Sequence, residues 1–280
     1  VPVTGTISST GWWLMEYFFD CDLPSAAGEN QTQPLRLGVS GEALKSSVRD
    51  PQAQCLEFLQ AMHRLESPEQ ILDCPDQQCR DRVSRLFKDI ARNDPYTRAH
   101  AERVVRYTTA IAAAYGCSRS QLYELRCGSL LHDIGKIYIR KTVLAKPESL
   151  TSREWLEMKR HPELGASLVR SFSCLEKVIP IILHHHERWD GQGYPFGLQG
   201  EEIPVGARIV AVADALDAMT SARVYQSPCS REDAYQEIVS CSGTRYDPQV
   251  VAAFQTAWDA LAEQIEIFNN GRGESPTLLS

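Results

Sequence analysis

The chain has 280 residues, of which 43% are hydrophobic and 23% are charged, and its formal net charge is −7. This length accommodates one large helical domain with a smaller attachment. The negative charge argues against binding to long nucleic acids, which requires a basic surface. No apolar run approaches the roughly 18 residues that span a membrane, and the nine cysteines form no recognisable disulfide framework. We therefore expect a reduced, cytoplasmic protein without a membrane segment in this chain.

Residues 1 to about 48 differ in pattern from the rest of the chain. Residues 1–7 and 35–39 predict short strands, and the stretch between them, rich in Gly, Pro, Ser and Asn, is typical of a loop. Asp50-Pro51 and Ser67-Pro68 then carry helix-start signals. We expect residues 1–80 to form a small mixed region that could sense a ligand, mediate dimerisation or simply cap the bundle.

The chain then becomes helical in pattern. An apolar stripe over residues 83–90 indicates a helix ending near Asn93, and Asp94-Pro95 indicates the start of another that runs to Gly116. Ser118 and Gln121 have the spacing of a capping box, which predicts a helix leading into His132-Asp133.

Further start signals follow towards the C-terminus. Thr151 and Glu154 form a second capping-box pattern, which predicts a helix reaching His161. Residues 190–200 are rich in turn formers, and residues 203–220 predict a long buried helix. The signals that start the last two predicted helices are Ser230 with Asp233 and Asp247-Pro248. We predict an all-α fold, with a helical bundle over residues 81–266 and a flexible tail over residues 267–280.

Histidines and aspartates occupy unusual places in this pattern. Six of the seven histidines lie at or near the ends of apolar helical stripes, at positions 100, 132, 161, 184, 185 and 186. Asp133 directly follows one of them, and Asp214 lies inside the apolar run 209–219, where a carboxylate is costly unless it is paired or binds a metal. Asp217 follows one helical turn later, so both carboxylates can face the same interior.

This set of side chains predicts a metal site. Each histidine alone would be interpreted as an ordinary helix residue, but their combination with buried carboxylates suits divalent ions such as Fe, Mn, Ni or Zn. An aspartate can bridge two such ions, and two ions about 3.5–4 Å apart can hold a phosphodiester for in-line attack. Lys136, one turn after Asp133, would neutralise a phosphate oxygen or assist the leaving group. Two interpretations of Trp189 remain open: its ring stacks on a nucleobase, or it belongs to a rigid structural loop.

Several motifs together resemble the HD-GYP family. They are His132-Asp133-Ile134-Gly135-Lys136, His161-Pro162-Glu163-Leu164-Gly165, the loop from His185-His186-Glu187 to Gly193-Tyr194-Pro195, Asp214 with Asp217-Ala218-Met219-Thr220-Ser221-Ala222-Arg223, and Gly243-Thr244-Arg245-Tyr246-Asp247-Pro248. The resemblance covers about residues 81–254. It implies an HD-superfamily helical bundle that hydrolyses cyclic di-GMP to linear pGpG and/or GMP in bacterial second-messenger signalling.

The resemblance also implies roles for individual residues. The implied metal ligands are His100, His132, Asp133, His161, His185, His186 and Asp214. Asp133 would bridge two divalent ions, with Fe or Mn favoured and Ni or Zn as alternatives, and it would act in catalysis together with Lys136. Lys136, Tyr194 and Arg223 would hold the cyclic dinucleotide. His184 receives no ligand role.

Two departures from the family pattern affect these expectations. Tyr96 stands where some members have a glutamate that supports a third metal, so we predict two ions. The segment Arg223-Val224-Tyr225-Gln226 lacks the second cation of the family's Arg-Pro-Tyr-Arg/Lys pattern. The alternatives are therefore a low-turnover sensor or scaffold, or a hydrolase of another cyclic dinucleotide such as cyclic GMP-AMP. The protein could also form a homodimer or bind a signalling partner.

Overall fold

The computed structural model describes residues 77–93, 95–221 and 228–270. Within these ranges the regular elements are α-helices and short 3-10 helices, which confirms the all-α expectation for this part of the chain. The α-helices are α1 (Gln77–Asn93), α2 (Pro95–Tyr115), α3 (Arg119–Leu131), α4 (Lys141–Leu144), α5 (Ser152–Met158), α6 (His161–Val169), α7 (Ile179–His184), α8 (Val205–Thr220), α9 (Arg231–Ser240), α10 (Pro248–Thr256) and α11 (Trp258–Asn270). The 3-10 helices are Ile134–Tyr138, Ser173–Val178 and Gly200–Glu202.

The predicted domain boundaries fall partly beyond these ranges. The mixed region of residues 1–80, with its strands and its helix starts at Asp50 and Ser67, lies outside the described residues except for 77–80, which begin α1. The last helix continues to Asn270, and the remainder of the predicted tail lies outside the described residues. The division into residues 1–80, 81–266 and 267–280 stays a prediction.

Local capping bonds explain where several helices begin. The Ser118 hydroxyl accepts from the backbone N–H of Gln121 at 3.4 Å, and the Gln121 side chain accepts from the Ser118 N–H at 2.8 Å, so the predicted capping box of α3 is confirmed. Thr151 and Glu154 make the equivalent pair of bonds at α5. Ser230 caps α9 in the same way, because its hydroxyl accepts from the Asp233 N–H.

Two expectations about helix extents were wrong. The helix that begins after Thr151 ends at Met158, and His161 starts α6 instead. Pro162 has no N–H to donate to the carbonyl of Met158 four residues earlier, so α5 cannot continue through it. Asp247 does cap α10, but α11 follows that helix, so the signals at Ser230 and Asp247 do not start the last two helices.

Helix α2 lies at the centre of the described bundle. It packs against α1, α3, α8 and α10. One hydrophobic core joins α2 and α8 to α9, α10 and α11, and it contains the fully buried Ile111, Leu216 and Phe254. A second core lies around α1, α3 and α7 and contains Leu130 and Ile182. Residues of α2, α3, α7 and α8 thereby reach a common region between the two cores.

The described cysteines only partly fit the expectation of a reduced set. Cys117, Cys127, Cys174 and Cys229 are free thiols, whereas Cys241 is disulfide-bonded, so the expectation was wrong at that residue. Among the described helices, none has the length and apolar character needed to cross a bilayer.

Candidate metal centre

All seven predicted ligand side chains converge in the structure. Their nitrogen and oxygen donor atoms form two groups, and the atoms of each group lie within 4.8 Å of one another. The first group contains Asp133, His161, His185 and His186, and the second contains His100, His132 and Asp214. Helices α2, α3, α6, α7 and α8 each deliver at least one of these residues within the helix or at its end.

Asp133 lies where the two groups meet. Its Oδ1 is 3.3 Å from Nε2 of His161, in the first group. Its Oδ2 is 3.4 Å from Nε2 of His132 and 3.7 Å from Nε2 of His100, in the second group. The two oxygens of one carboxylate therefore face different groups, as a bridging ligand requires.

Backbone carbonyls fix the protonation of three of the imidazoles. Nδ1 of His132, His161 and His185 lies 2.7, 2.9 and 2.8 Å from the carbonyl oxygen of Ser129, Met158 and Ile182, respectively. A carbonyl oxygen can only accept, so each Nδ1 carries a proton, and in a neutral ring this leaves the lone pair on Nε2. The carbonyl of Met158 is available because Pro162 cannot use it.

The fourth imidazole, His100, is oriented by a carboxylate instead. Its Nδ1 donates to Oδ2 of Asp217 at 2.7 Å. Asp217 is fully buried, accepts from Arg103 through both Nε and Nη2, and accepts from the Ser221 hydroxyl at 3.0 Å. Burial alone would raise the pKa of Asp217, but the bonds from His100 and Arg103 outweigh it and hold that pKa far below its usual range. Asp217 is therefore a carboxylate that orients His100 from behind.

Sequence reasoning reached this arrangement only in part. It placed Asp217 on the same helix face as Asp214 but gave it no role, and it did not single out Arg103. A signal for Arg103 was present, because it follows His100 by three residues on α2, and this spacing places both side chains on one face.

The donor atoms fit divalent cations. The Nε2 atoms of His100 and His132 are 3.3 Å apart, as are those of His161 and His185. When Nδ1 carries the only proton on each ring, neither Nε2 atom of a pair has a proton to donate to the other. A cation bound by both Nε2 atoms would remove the repulsion between their lone pairs. Burial lowers the pKa of both His161 and His185 to about 3, so these rings are neutral at neutral pH. The buried Oδ1 of Asp133 also has no hydrogen-bond partner among the described residues. The two groups are consistent with a binuclear metal site.

Lys136 lies beside the bridging carboxylate. Its Nζ is 2.6 Å from Oδ2 of Asp133. Burial by itself raises the pKa of Asp133, but Lys136 and then the surrounding imidazoles outweigh it and hold that pKa well below its usual value. The structure therefore places one cation against a carboxylate that stays ionised.

Gly135 allows this segment to approach α6. A Cβ atom at Gly135 would lie 2.0 Å from the carbonyl oxygen of His161 and 2.5 Å from the backbone nitrogen of Gly165. No larger residue fits without moving one of the two backbones. The absence of a side chain brings Asp133 and His161 together.

A known protein family matches the part of the chain that contains these ligands. The HD domain family matches residues 85–250, which is more than half of the chain. The chain belongs to the HD-domain family. A cyclic di-GMP phosphodiesterase of Thermotoga maritima is 47% identical to this HD-domain protein over 163 residues, which are 58% of this chain and 44% of the relative.

Two further relatives have related names. The 3'3'-cGAMP-specific phosphodiesterase 2 of Vibrio cholerae is 36% identical over 179 residues, covering 63% of this chain and 34% of the relative. The cyclic di-GMP phosphodiesterase response regulator RpfG of Xanthomonas campestris is 36% identical over 218 residues, covering 73% and 58%. The HD-domain chain thus spans between 34% and 58% of the length of these three relatives.

A bonded loop follows the histidine pair of this HD domain. The buried Glu187 carboxylate accepts from the backbone N–H groups of Phe196 at 2.8 Å and Leu198 at 3.1 Å. The Tyr194 N–H donates to the carbonyl of His186, and the two rings stack with centroids 4.7 Å apart. Tyr194 therefore lies at the edge of the metal centre, next to one of the predicted ligands.

Contacts of the loop also bear on the two interpretations of Trp189. The guanidinium of Arg208 lies 5.6 Å from the centre of the Trp189 ring, and the Trp189 N–H donates to the carbonyl of Arg245. These contacts favour the structural interpretation over base stacking. Arg223, predicted to hold the ligand, and Gln226 lie outside the described residues, as does the side chain of Tyr96.

Proposed function

We propose that this HD domain hydrolyses a phosphodiester bond of a cyclic dinucleotide, with cyclic di-GMP as the first candidate and linear pGpG and/or GMP as products. The observation that carries the proposal is the convergence of six imidazole and carboxylate side chains, five of them buried, around the buried Asp133, with Lys136 Nζ at 2.6 Å from its Oδ2. The three relatives described above, named as phosphodiesterases of cyclic dinucleotides, add support.

The seven residues would divide between two divalent transition-metal ions. His161, His185 and His186 would hold one ion, His100, His132 and Asp214 would hold the other, and Asp133 would bridge them. Bound ions of this kind stabilise charge on phosphodiester oxygens and lower the pKa of water. Fe or Mn is favoured, with Ni or Zn as alternatives, because this ligand set accepts several metals. Elemental analysis of protein purified anaerobically without added metal would identify them.

The remaining residues would act on the substrate directly. Lys136 would donate to a phosphate oxygen, where its charge offsets the charge that develops during hydrolysis. Tyr194, fixed against His186, would border the substrate from the loop. Arg223 would add a second phosphate contact, since a guanidinium matches the geometry of phosphate oxygens.

The direct test is product analysis with adjacent histidine variants. Protein loaded with Mn(II) or Fe(II) under reducing conditions is incubated with cyclic di-GMP, and linear product is measured by chromatography. His185→Asn should lose metal and turnover together. The matched control is His184→Asn, which changes a histidine outside both donor groups and should keep both. Absence of linear product from wild-type protein that holds metal would contradict the proposal.

Two alternatives are separated by further measurements. Gln226 stands where the family has a second cation, which favours a low-turnover sensor or scaffold. Tight binding of cyclic di-GMP without hydrolysis would support that function, and rapid turnover would eliminate it. The Vibrio cholerae relative named as cGAMP-specific makes cyclic GMP-AMP the second substrate candidate. A side-by-side comparison of kcat/KM for both dinucleotides decides between them.

A further inference from the structure

An uncovered groove runs along the outer side of α5. It has a volume of about 400 Å³, and its lining includes Tyr138, Arg140, Arg153, Leu156 and Arg160. The inner side of α5 is occupied, because Met158 is buried in a small core under this helix. On the outer side, Leu156 is 66% exposed and Tyr138 is 55% exposed. Large apolar side chains exposed together commonly mark an interaction surface.

The groove is cationic around this apolar centre. Arg153, Leu156 and Arg160 follow one another at spacings of three and four residues, which place them along one side of α5 and the turn after it. Arg140 is held across the groove by Glu157, with Nη2 2.7 Å from Oε2. The guanidinium groups of Arg153 and Arg160 form no hydrogen bond or ion pair with another described residue. Two guanidinium groups thus remain available beside the apolar centre.

Two regions of the chain carry net charges of opposite sign. Residues 136–160 carry seven basic and three acidic side chains, a surplus of four positive charges in a chain of net charge −7. Residues 1–76 carry eleven acidic and four basic side chains, so the whole net negative charge lies there. Residues 77–280 are neutral in sum, so the positive surplus of residues 136–160 is balanced by negative charge elsewhere in that range. Attraction between these two regions therefore favours their contact.

One acidic segment also has aromatic side chains that match the apolar centre of the groove. Residues 12–22 contain Glu16, Asp20 and Asp22, no basic residue, and five aromatic residues between positions 12 and 19. Aromatic rings bury large apolar areas, and arginine and aromatic side chains are enriched at protein interfaces. We propose that residues 12–22 dock in the groove of the same molecule, with rings against Leu156 and Tyr138 and carboxylates against Arg153 and Arg160.

This contact would join the N-terminal region to an element beside the metal centre. Trp155 of α5 meets the Tyr194 ring edge-on, with centroids 6.4 Å apart, and Lys159 lies 5.0 Å from the centre of the same ring. His161, a predicted metal ligand, lies three residues after the last residue of α5. The proposal does not depend on the proposed catalytic activity, because its test measures contact alone.

Photo-crosslinking of the full chain tests the proposal. The photoreactive residue p-benzoylphenylalanine replaces Leu156, and crosslinked peptides are identified by mass spectrometry. The main product should join position 156 to residues 12–22. A control protein carries the probe at Ile267, an exposed residue of α11, and should not give this product. Mixing ¹⁵N-labelled and unlabelled protein before irradiation distinguishes contacts within one molecule from contacts between two.

Charge variants complete the test from both sides of the contact. Arg153→Glu with Arg160→Glu should lower the crosslink yield at least fivefold, and so should Glu16→Gln with Asp20→Asn and Asp22→Asn, which leaves the groove unchanged. Circular dichroism establishes that each variant is folded. Crosslinks to another segment, crosslinks of mixed isotopic label, or a yield no higher than at position 267 would each overturn the proposal.

Discussion

Replacing Asp217 with asparagine should lower both the free energy of unfolding of the bundle and the affinity of the metal centre. The substitution keeps the size of the side chain but removes its charge, and Arg103, which is 3% exposed, loses its buried counterion. Removing one partner of a buried ion pair costs about 3–5 kcal/mol of unfolding free energy. His100 would also lose the carboxylate that orients it, and such outer contacts are worth about 10–100-fold in metal affinity.

The assay combines urea unfolding of metal-free protein with a metal titration. Asp217→Asn should lower the free energy of unfolding by about 3–5 kcal/mol, whereas Asp259→Asn, at an exposed position of α11, should change it by less than about 0.5 kcal/mol. Adding Arg103→Met to Asp217→Asn removes the buried guanidinium that has lost the Asp217 carboxylate. Most of the stability should return, but the weak metal binding should persist because His100 still faces an amide.

Two results would refute this reasoning. If Asp217→Asn unfolds within about 1 kcal/mol of wild type, the buried pair with Arg103 does not contribute as the geometry indicates. If the double variant regains metal affinity together with stability, Asp217 acts only through the packing of the bundle, and its bond to His100 is not what supports the metal centre.

Three further predictions concern other parts of the domain. Lys136→Met should lower turnover about 100-fold while metal content stays unchanged; steady-state kinetics with elemental analysis check this, and loss of metal would instead make Lys136 necessary for holding Asp133. Gly135→Ala should cost about 1–3 kcal/mol of unfolding free energy and reduce metal loading, because the new Cβ meets the His161 carbonyl at 2.0 Å; unfolding at wild-type urea concentration would contradict it. Burial raises the pKa of Tyr246 to about 12, whereas an unfolded tyrosine has a pKa of about 10, so this stabilising contribution is complete below about pH 10 and is lost as the pH rises towards 12. Wild type should therefore lose about 2 kcal/mol more than Tyr246→Phe between pH 9 and pH 12 in parallel urea titrations, and equal losses would show that Tyr246 ionises freely in the folded state.

Helix starts were predictable because their bonds are local. Ser118 and Thr151 each exchange bonds with a residue three positions away, so the sequence pattern already contains both partners. Helix ends and continuations were less predictable. Helix α5 ends at Met158 because Pro162, four residues later, cannot donate to its carbonyl. Helix α11 begins directly after α10, and no capping pattern in the sequence marks its start.

The predicted ligands were identified from residue type and motif, and their meeting was only an expectation. His100 and Asp217 are separated by 117 positions along the chain and are joined by a 2.7 Å bond. No local pattern specifies such a contact, because it follows from the packing of α2 against α8. The same holds for the contact between Trp189 and Arg208, which lie 19 positions apart along the chain.

The amino-acid sequence by itself determined the helical class, the capped helix starts and the set of imidazoles and carboxylates, since these depend on residue type and short spacings. The tertiary structure decided which donor atoms face one another, which imidazole nitrogens carry protons, and that Arg103 and Asp217 support His100. Those properties arise from burial and from contacts between helices distant in sequence, where the free energy of packing fixes each side chain.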